Sequence, residues 1–372
     1  MNTPEFRRQT AAILRQSFEK ASAFRAFVGL DGFVDEIIHA VGTRQSFDQY
    51  ERLPTLTSMG DRIREAAGRS TNIELVNQRT KLGGNGPIMA NALASFGLKV
   101  TYLGALGYPQ IHPVFQQFAQ KAELFSIADS GHTDAIEFED GKLMLVKSSP
   151  LDQITWANIQ TRFGREPFQN YFSRADLVGF VNWTMIPFMS DFWESLQTEL
   201  CPLLTGPRRK IFFDLADPQK RPATDIARAL NLITGFQEYF DVILGLNEKE
   251  AFEVGEVMGL HQKSNDRQAL SELAREIYCR LKIDTLVVHP VTYALAVTDG
   301  TVSLIDGPKI LRPFITTGAG DHFNSGFCLG KLLGLSNSES LLCGVTTSGY
   351  YVRSGISPGM DEIAGMMLDW PV

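Results

Sequence analysis

Cysteine is scarce and dispersed: four in 372 residues (Cys201, Cys279, Cys328 and Cys343), none in a CxxC pair. That spacing excludes a zinc ribbon and a disulfide framework, and reads as reduced thiols. No apolar run approaches the roughly 20 residues that span a bilayer, so a membrane partner is not expected. The opening MNTPEFRRQTAAILRQSFEKASAF lacks the apolar stretch of a signal peptide, which makes the cytoplasm the expected compartment. Positive charge is in deficit, with a formal net charge of −7, so a nucleic-acid partner, which needs Lys and Arg to neutralise phosphates, is not expected. Internal repeats and low-complexity tracts are missing as well. What is present, 44% hydrophobic and 21% charged residues, is the balance of a chain that buries a sizeable core.

Patterning then organises the chain. Apolar positions Phe6, Ile13, Leu14 and Phe18 predict one amphipathic helix over residues 4–23, a helical extension (1–25) packed outside a main domain (26–372). A strand from Phe27 runs into two acids, Asp31 and Asp35. A helix over 57–69 and a strand over 73–79 follow. Gly83-Gly84-Asn85-Gly86 precedes a small-residue helix over 87–96, closed by Gly97. A strand (100–106) and a helix (112–121) come next, and IEFEDGKLMLV alternates around Asp140-Gly141 as a hairpin does. From about residue 175, short apolar strands at 177–182, 210–215, 242–246 and 285–289 alternate with helices. That rhythm predicts a doubly wound, mostly parallel α/β sheet flanked by helices. A small β lid is expected from parts of 36–80 and 130–148.

The segment Thr316-Thr317-Gly318-Ala319-Gly320-Asp321 is a small-residue turn opening a helix. Consecutive N–H groups with little side-chain cover make an anion cradle, and the helix terminus adds positive potential. An acid there can take a proton from an attacking hydroxyl, and the helix terminus is expected to keep it ionised. The same arrangement is also ordinary helix-capping chemistry.

Three elements in order resemble the ribokinase/PfkB carbohydrate kinases. They are TTGAGDHFNSG at 316–326, GGNGPIMANALASFG at 83–97, and Asn247-Glu248-Lys249-Glu250, which is similar to an NxxE motif. The resemblance covers roughly residues 28–359. It implies a kinase moving the γ-phosphate of ATP to an alcohol group of a sugar or polyol. Asp321 would be the base, with Gly318, Ala319 and Gly320 as the anion hole. Asn247 and Glu250 would organise Mg2+, through water, and contact the nucleotide together with Thr317. On the substrate side it points to Asp35 above Asp31, and to Gly83, Gly84 and Asn85. Asn182, Asp214 and Asp217 stand at strand ends, where open α/β sheets bind ligands.

Departures shape further expectations. Ile315 stands where the family usually has an Asp beside a monovalent cation, so potassium dependence is expected to be weak or absent. His289-Pro290-Val291-Thr292-Tyr293-Ala294 lacks the family's glycines, which alters the nucleotide loop and leaves His289 as a candidate contact. Ile88 replaces a common Asn of the GG element. A nucleoside kinase, with Phe33, Phe47, Trp156 or Trp183 as a base platform, and a catalytically silent binding homologue are the alternatives. Lid strands could also pair two copies as a homodimer, because an exposed edge needs cover.

Overall fold

A computed structural model describes residues 2–371 except 262, 263 and 265. Fourteen strands form among these residues. The first eight are β1 (Arg25–Leu30), β2 (Phe33–Arg44), β3 (Tyr50–Arg52), β4 (Leu75–Gly83), β5 (Lys99–Gly104), β6 (Ala122–Ser126), β7 (Gly131–Glu137) and β8 (Lys142–Lys147). The second half adds β9 (Leu177–Phe180), β10 (Arg209–Asp214), β11 (Phe240–Leu246), β12 (Thr285–Val288), β13 (Tyr293–Thr298) and β14 (Thr301–Asp306).

Nine of them make the main sheet, in the order β14-β13-β12-β11-β10-β9-β1-β5-β6. From β6 to β12 every pairing is parallel. The strands β9 and β12 are buried at every position, as a sheet covered by helices on both faces requires. One apolar cluster, rich in aromatics such as Phe172, Phe180, Trp193 and Phe213, fills one side of the sheet. A second cluster on the other side gathers the helices Asn85–Ser95, Ala319–Leu333 and Asn337–Ser354.

β1 is flanked by β5 on one side and β9 on the other, so the winding direction reverses there. Open sheets gather ligands outside the carboxyl ends of their strands at such a switch point. Asp31, Asn182, Asp214, Asn247 and His289 each end or follow one of five neighbouring strands at that edge.

The small sheet is built from β4, β2, β7 and β8, with β3 pairing the far end of β2. It begins at Phe33 and reaches Gly83, slightly wider than the 36–80 span expected. Its two faces differ by the period of two. Phe33, Asp35, Thr133, Met144 and Val146 face the cleft. On the other face, Ile38, Ala40, Ile136 and Phe138 pack under Met59 of the helix Leu56–Glu65.

The main sheet is mostly parallel, as expected, with β13 and β14 antiparallel at one edge. Other expectations need correction. The single helix over 4–23 is two, Pro4–Gln16 and Phe18–Ala23, broken at Ser17, whose hydroxyl bonds back to the Ile13 carbonyl. These helices are not peripheral: Ala11, Leu14 and Ala21 belong to the second core cluster. The 112–121 helix reduces to a 3-10 turn, Pro113–Phe115, and one α turn, Gln116–Ala119.

Candidate active site

The cleft between the two sheets encloses about 580 Å3. Its lining includes Asp35, Gly84, Asn85 and Asn182 on the substrate side, and Asn247, Glu250, Thr317, Gly318, Gly320 and Asp321 on the phosphate side.

The two acids after β1 part company. Asp31 is wholly buried and does not line the cleft. Its carboxylate accepts the N–H groups of Asn85 (2.9 Å) and Gly86 (2.8 Å) and the Asn182 amide (2.7 Å). It therefore caps the Asn85–Ser95 helix across more than fifty residues of sequence, and its expected place at the substrate is corrected to that of a brace. Burial pushes its pKa up to about 6 against these donors. Asp35 points into the cleft from the lid, with the Lys81 ammonium 4.0 Å away. Burial raises its pKa too, with Lys81 opposing. Gly83 serves Asp35: a Cβ there would stand 2.3 Å from the carboxylate. Gly83 itself, like Asp31, is outside the lining.

Asn85 spans both halves of the site. Its Nδ2 donates to Asp321 Oδ1 at 2.9 Å. Asn182 adopts a left-handed φ of 60° and bonds Asp31, while its Oδ1 is buried without a partner. A buried acceptor left unpaired costs free energy, and here it sits on the wall of a cleft that a hydroxyl could enter.

On the phosphate side, Gly318 caps the helix Ala319–Leu333 with φ 92°, a conformation that favours glycine. Asp321 follows in the first turn, almost fully buried. Its pKa is pushed up to about 8 by burial, with the Asn85 bond opposing and the charges of Asp31 and Glu250 adding to the rise. Burial thus opposes the helix terminus, which favours the ionised form that a base requires. Of the three expected anion-hole donors, Ala319 is committed elsewhere: its N–H bonds the Thr316 carbonyl at 3.1 Å. No backbone partner among the described residues takes the N–H of Gly318 or Gly320.

Asn247 and Glu250 form a capping box at the start of the helix Glu248–Val257. Asn247 Oδ1 accepts the Glu250 N–H at 2.9 Å, and Glu250 accepts the N–H groups of Asn247 (2.8 Å) and Asp217 (2.9 Å). Asn247 also offers an amide donor suited to phosphate, and its Oδ1 keeps a second lone pair for the expected metal-bound water. Glu250 and Asp214 are both buried near Asp321, and their mutual repulsion adds to the burial that raises Asp214 well above the carboxylate range. Such a set of hard oxygens fits a magnesium ion held through water.

His289 lies between this cleft and a second cavity of about 580 Å3. The half-buried ring packs on Phe323 (centroids 4.8 Å apart), and desolvation pushes its pKa down to about 4, which favours the neutral form. The second cavity is an apolar slot between Pro290, Val291, Pro308, Ile310 and Val352, touching Asn247 and Gly320. A planar base fits such a lining.

Sequence reasoning missed Thr133, Met144 and Val146, since a hairpin pattern locates strands without saying which face meets the cleft. It weighed Asp214 only as a strand-end acid. Of the four aromatics considered as a base platform, Phe33 alone lines the cleft. Trp183 and Trp156 are in the core and Phe47 is fully solvent-facing.

Comparison with known proteins agrees with this geometry. The profile of the family described as prokaryotic ketohexokinase matches residues 4–370. A ketohexokinase of Haloferax volcanii is 30% identical over 367 residues, 98% of this chain and 96% of that protein. Among solved structures, a carbohydrate kinase from Agrobacterium tumefaciens aligns over 94% of this chain and 98% of its own, at a TM-score of 0.63 and 17% identity. Ribokinase from Thermotoga maritima aligns over 93% and 99%, at a TM-score of 0.61 and 15% identity.

Proposed function

The chain belongs to the prokaryotic ketohexokinase family, ATP-dependent carbohydrate kinases of the ribokinase/PfkB group, and from this premise we propose how its residues phosphorylate a ketohexose. The observation that carries the proposal is Asp321, set in the first turn of its helix, bonded to Asn85 and beside the uncommitted N–H groups of Gly318 and Gly320.

Asp35, Asn85 and the unpaired oxygen of Asn182 hold the sugar hydroxyls, each group being able to accept or exchange hydrogen bonds with a polyol. Asp321 takes the proton of the attacking hydroxyl as its oxygen bonds to the γ-phosphorus. The bond from phosphorus to the β,γ-bridging oxygen breaks, and ADP leaves with that electron pair. Gly318 and Gly320 N–H groups stabilise charge on the phosphoryl oxygens in transit. Glu250 and Asp214 would hold magnesium, which screens the charge of the nucleotide phosphates when bound. The base of the nucleotide occupies the apolar slot beyond His289. Closing of the lid excludes water, which competes with the sugar as nucleophile. On β8, Met144, Leu145 and Val146 are 40–45% exposed, which supports pairing of lids between two copies.

The test is ADP release with ATP and magnesium across fructose, other ketoses, aldoses, polyols and nucleosides, with 31P NMR locating the phosphate on the product. Turnover confined to ketohexoses supports the reading. A preference for nucleosides or aldoses overturns it.

A further inference from the structure

Behind the glycine turn lies a hydrogen-bonded chain whose side chains line neither the cleft nor the apolar slot. Asn91 Nδ2 donates to Ser357 Oγ at 3.0 Å. Ser357 Oγ lies 2.8 Å from His322 Nε2, and His322 Nδ1 lies 2.7 Å from the Gly318 carbonyl. A carbonyl only accepts, so Nδ1 carries the proton and Nε2 accepts from the serine hydroxyl. The ring is almost fully buried, and burial pushes its pKa down to about 4, in keeping with this neutral tautomer. It stacks face to face on Tyr351, with centroids 3.6 Å apart and planes 11° apart. The Tyr351 hydroxyl in turn donates to the Thr317 carbonyl at 3.0 Å.

Two side-chain donors therefore grip the carbonyls of two consecutive peptides on the side away from the cleft, the Gly318 carbonyl also accepting the His322 backbone N–H at 3.1 Å. His322 and Tyr351 line a separate groove, divided from the cleft by Ile88, while Thr317 and Gly318 line the cleft itself. In a trans peptide the C=O and N–H point opposite ways. Turning the Thr317 carbonyl toward Tyr351 turns the Gly318 N–H toward the cleft. Fixing the Gly318 carbonyl through His322 then holds the left-handed conformation on which that direction depends.

We propose that His322 and Tyr351 are positioning residues for phosphoryl transfer, holding the Thr317 and Gly318 carbonyls so that the Gly318 N–H faces the transferring group. The proposal rests on the assignment of Asp321 and its glycines as the catalytic centre. It also gives Asn91 a role, since the helix that offers Asn85 to Asp321 anchors the far end of the chain to Gly318.

Three variants test it, assayed with ATP, magnesium and fructose and checked by thermal melting. Tyr351→Phe keeps the stack and loses only the hydroxyl. It is expected to lower kcat roughly tenfold or more while leaving the KM for fructose nearly unchanged, since a preorganised donor acts on the transition state. His322→Val and His322→Thr leave cavities of one shape, but threonine can return a hydroxyl to the carbonyl four residues back. Threonine is expected to recover much of the kcat that valine loses. A Tyr351→Phe enzyme with wild-type kcat, or threonine and valine variants equally impaired, overturns the proposal. If both His322 variants fail to fold, Tyr351→Phe decides alone. Asp321→Asn serves as the control: retained turnover there brings down the assignment of the centre, whereas lost turnover beside a normal Tyr351→Phe enzyme brings down the positioning role only.

Discussion

The two walls of the cleft are built in opposite ways. The main-sheet wall is a row of strand ends and helix starts, in which Asp31, Asp214, Glu250 and Asp321 are buried and tied to backbone or amide donors. The lid wall is one face of a small sheet with exposed edges, from which Asp35 and Thr133 reach inward between apolar side chains. Transition-state charge is best met by groups that need no reorganisation, and the main-sheet wall supplies them. A sugar has to enter and leave, and a sheet joined to the body along one side suits that. The division assigns kcat to one wall and KM to the other.

The most severe test of that division is Asp321→Asn. Steady-state kinetics should show kcat lowered by about 10²–10⁴ with nucleotide affinity retained. A loss of nucleotide binding instead would break the comparison. On the lid, Asp35→Ala should raise the KM for sugar by roughly 10- to 100-fold, the worth of a hydrogen bond to a charged acceptor, with a smaller change in kcat. Gly83→Ala should give the same phenotype through Asp35, because its Cβ would displace that carboxylate.

A gentler probe is the pH dependence of stability in the ligand-free protein. Carboxyls whose folded pKa is raised bind protons more tightly in the native state. Their contribution is complete below the unfolded value of 3.8 and is lost as pH rises through about 6 for Asp31 and about 8 for Asp321. The Tm should therefore fall between pH 5 and pH 9 from these groups, and Asp321→Asn should flatten the upper part of the slope. An unchanged slope in that variant would show that Asp321 is ionised across this range in the ligand-free protein. The smallest expected effect concerns potassium. Ile315 offers a hydrocarbon where an oxygen ligand is needed, so exchanging sodium for potassium should alter kcat by no more than about twofold. Strong stimulation would place a cation against the main-sheet wall after all.

How far each wall was legible follows from how local its information is. Turn-and-helix segments such as 316–326 and 247–250 carry their backbone geometry within a few residues, so the positions of Gly318, Asp321 and Glu250 at their helix starts could be read directly. Asp31 and Asp35 are four residues apart with similar surroundings in sequence. Only the arrival of the Asn85 helix at one, and of β4 and β7 beside the other, separates brace from ligand. The antiparallel β13 and β14 escaped because a short buried strand has the same apolar pattern in either direction.

By itself, then, the sequence determined the alternation of strands and helices, the small-residue turn and the acid placed within it. These depend on periodicity and on the steric freedom of glycine, both of which act over a handful of residues. Tertiary structure alone decided that burial raises the Asp321 pKa, and that Ala319 is committed to Thr316. It also brought Asn91, Ser357, His322 and Tyr351 together behind Gly318. Desolvation and hydrogen-bond partnership depend on groups that lie hundreds of residues apart in the chain, and only the packed fold makes them neighbours.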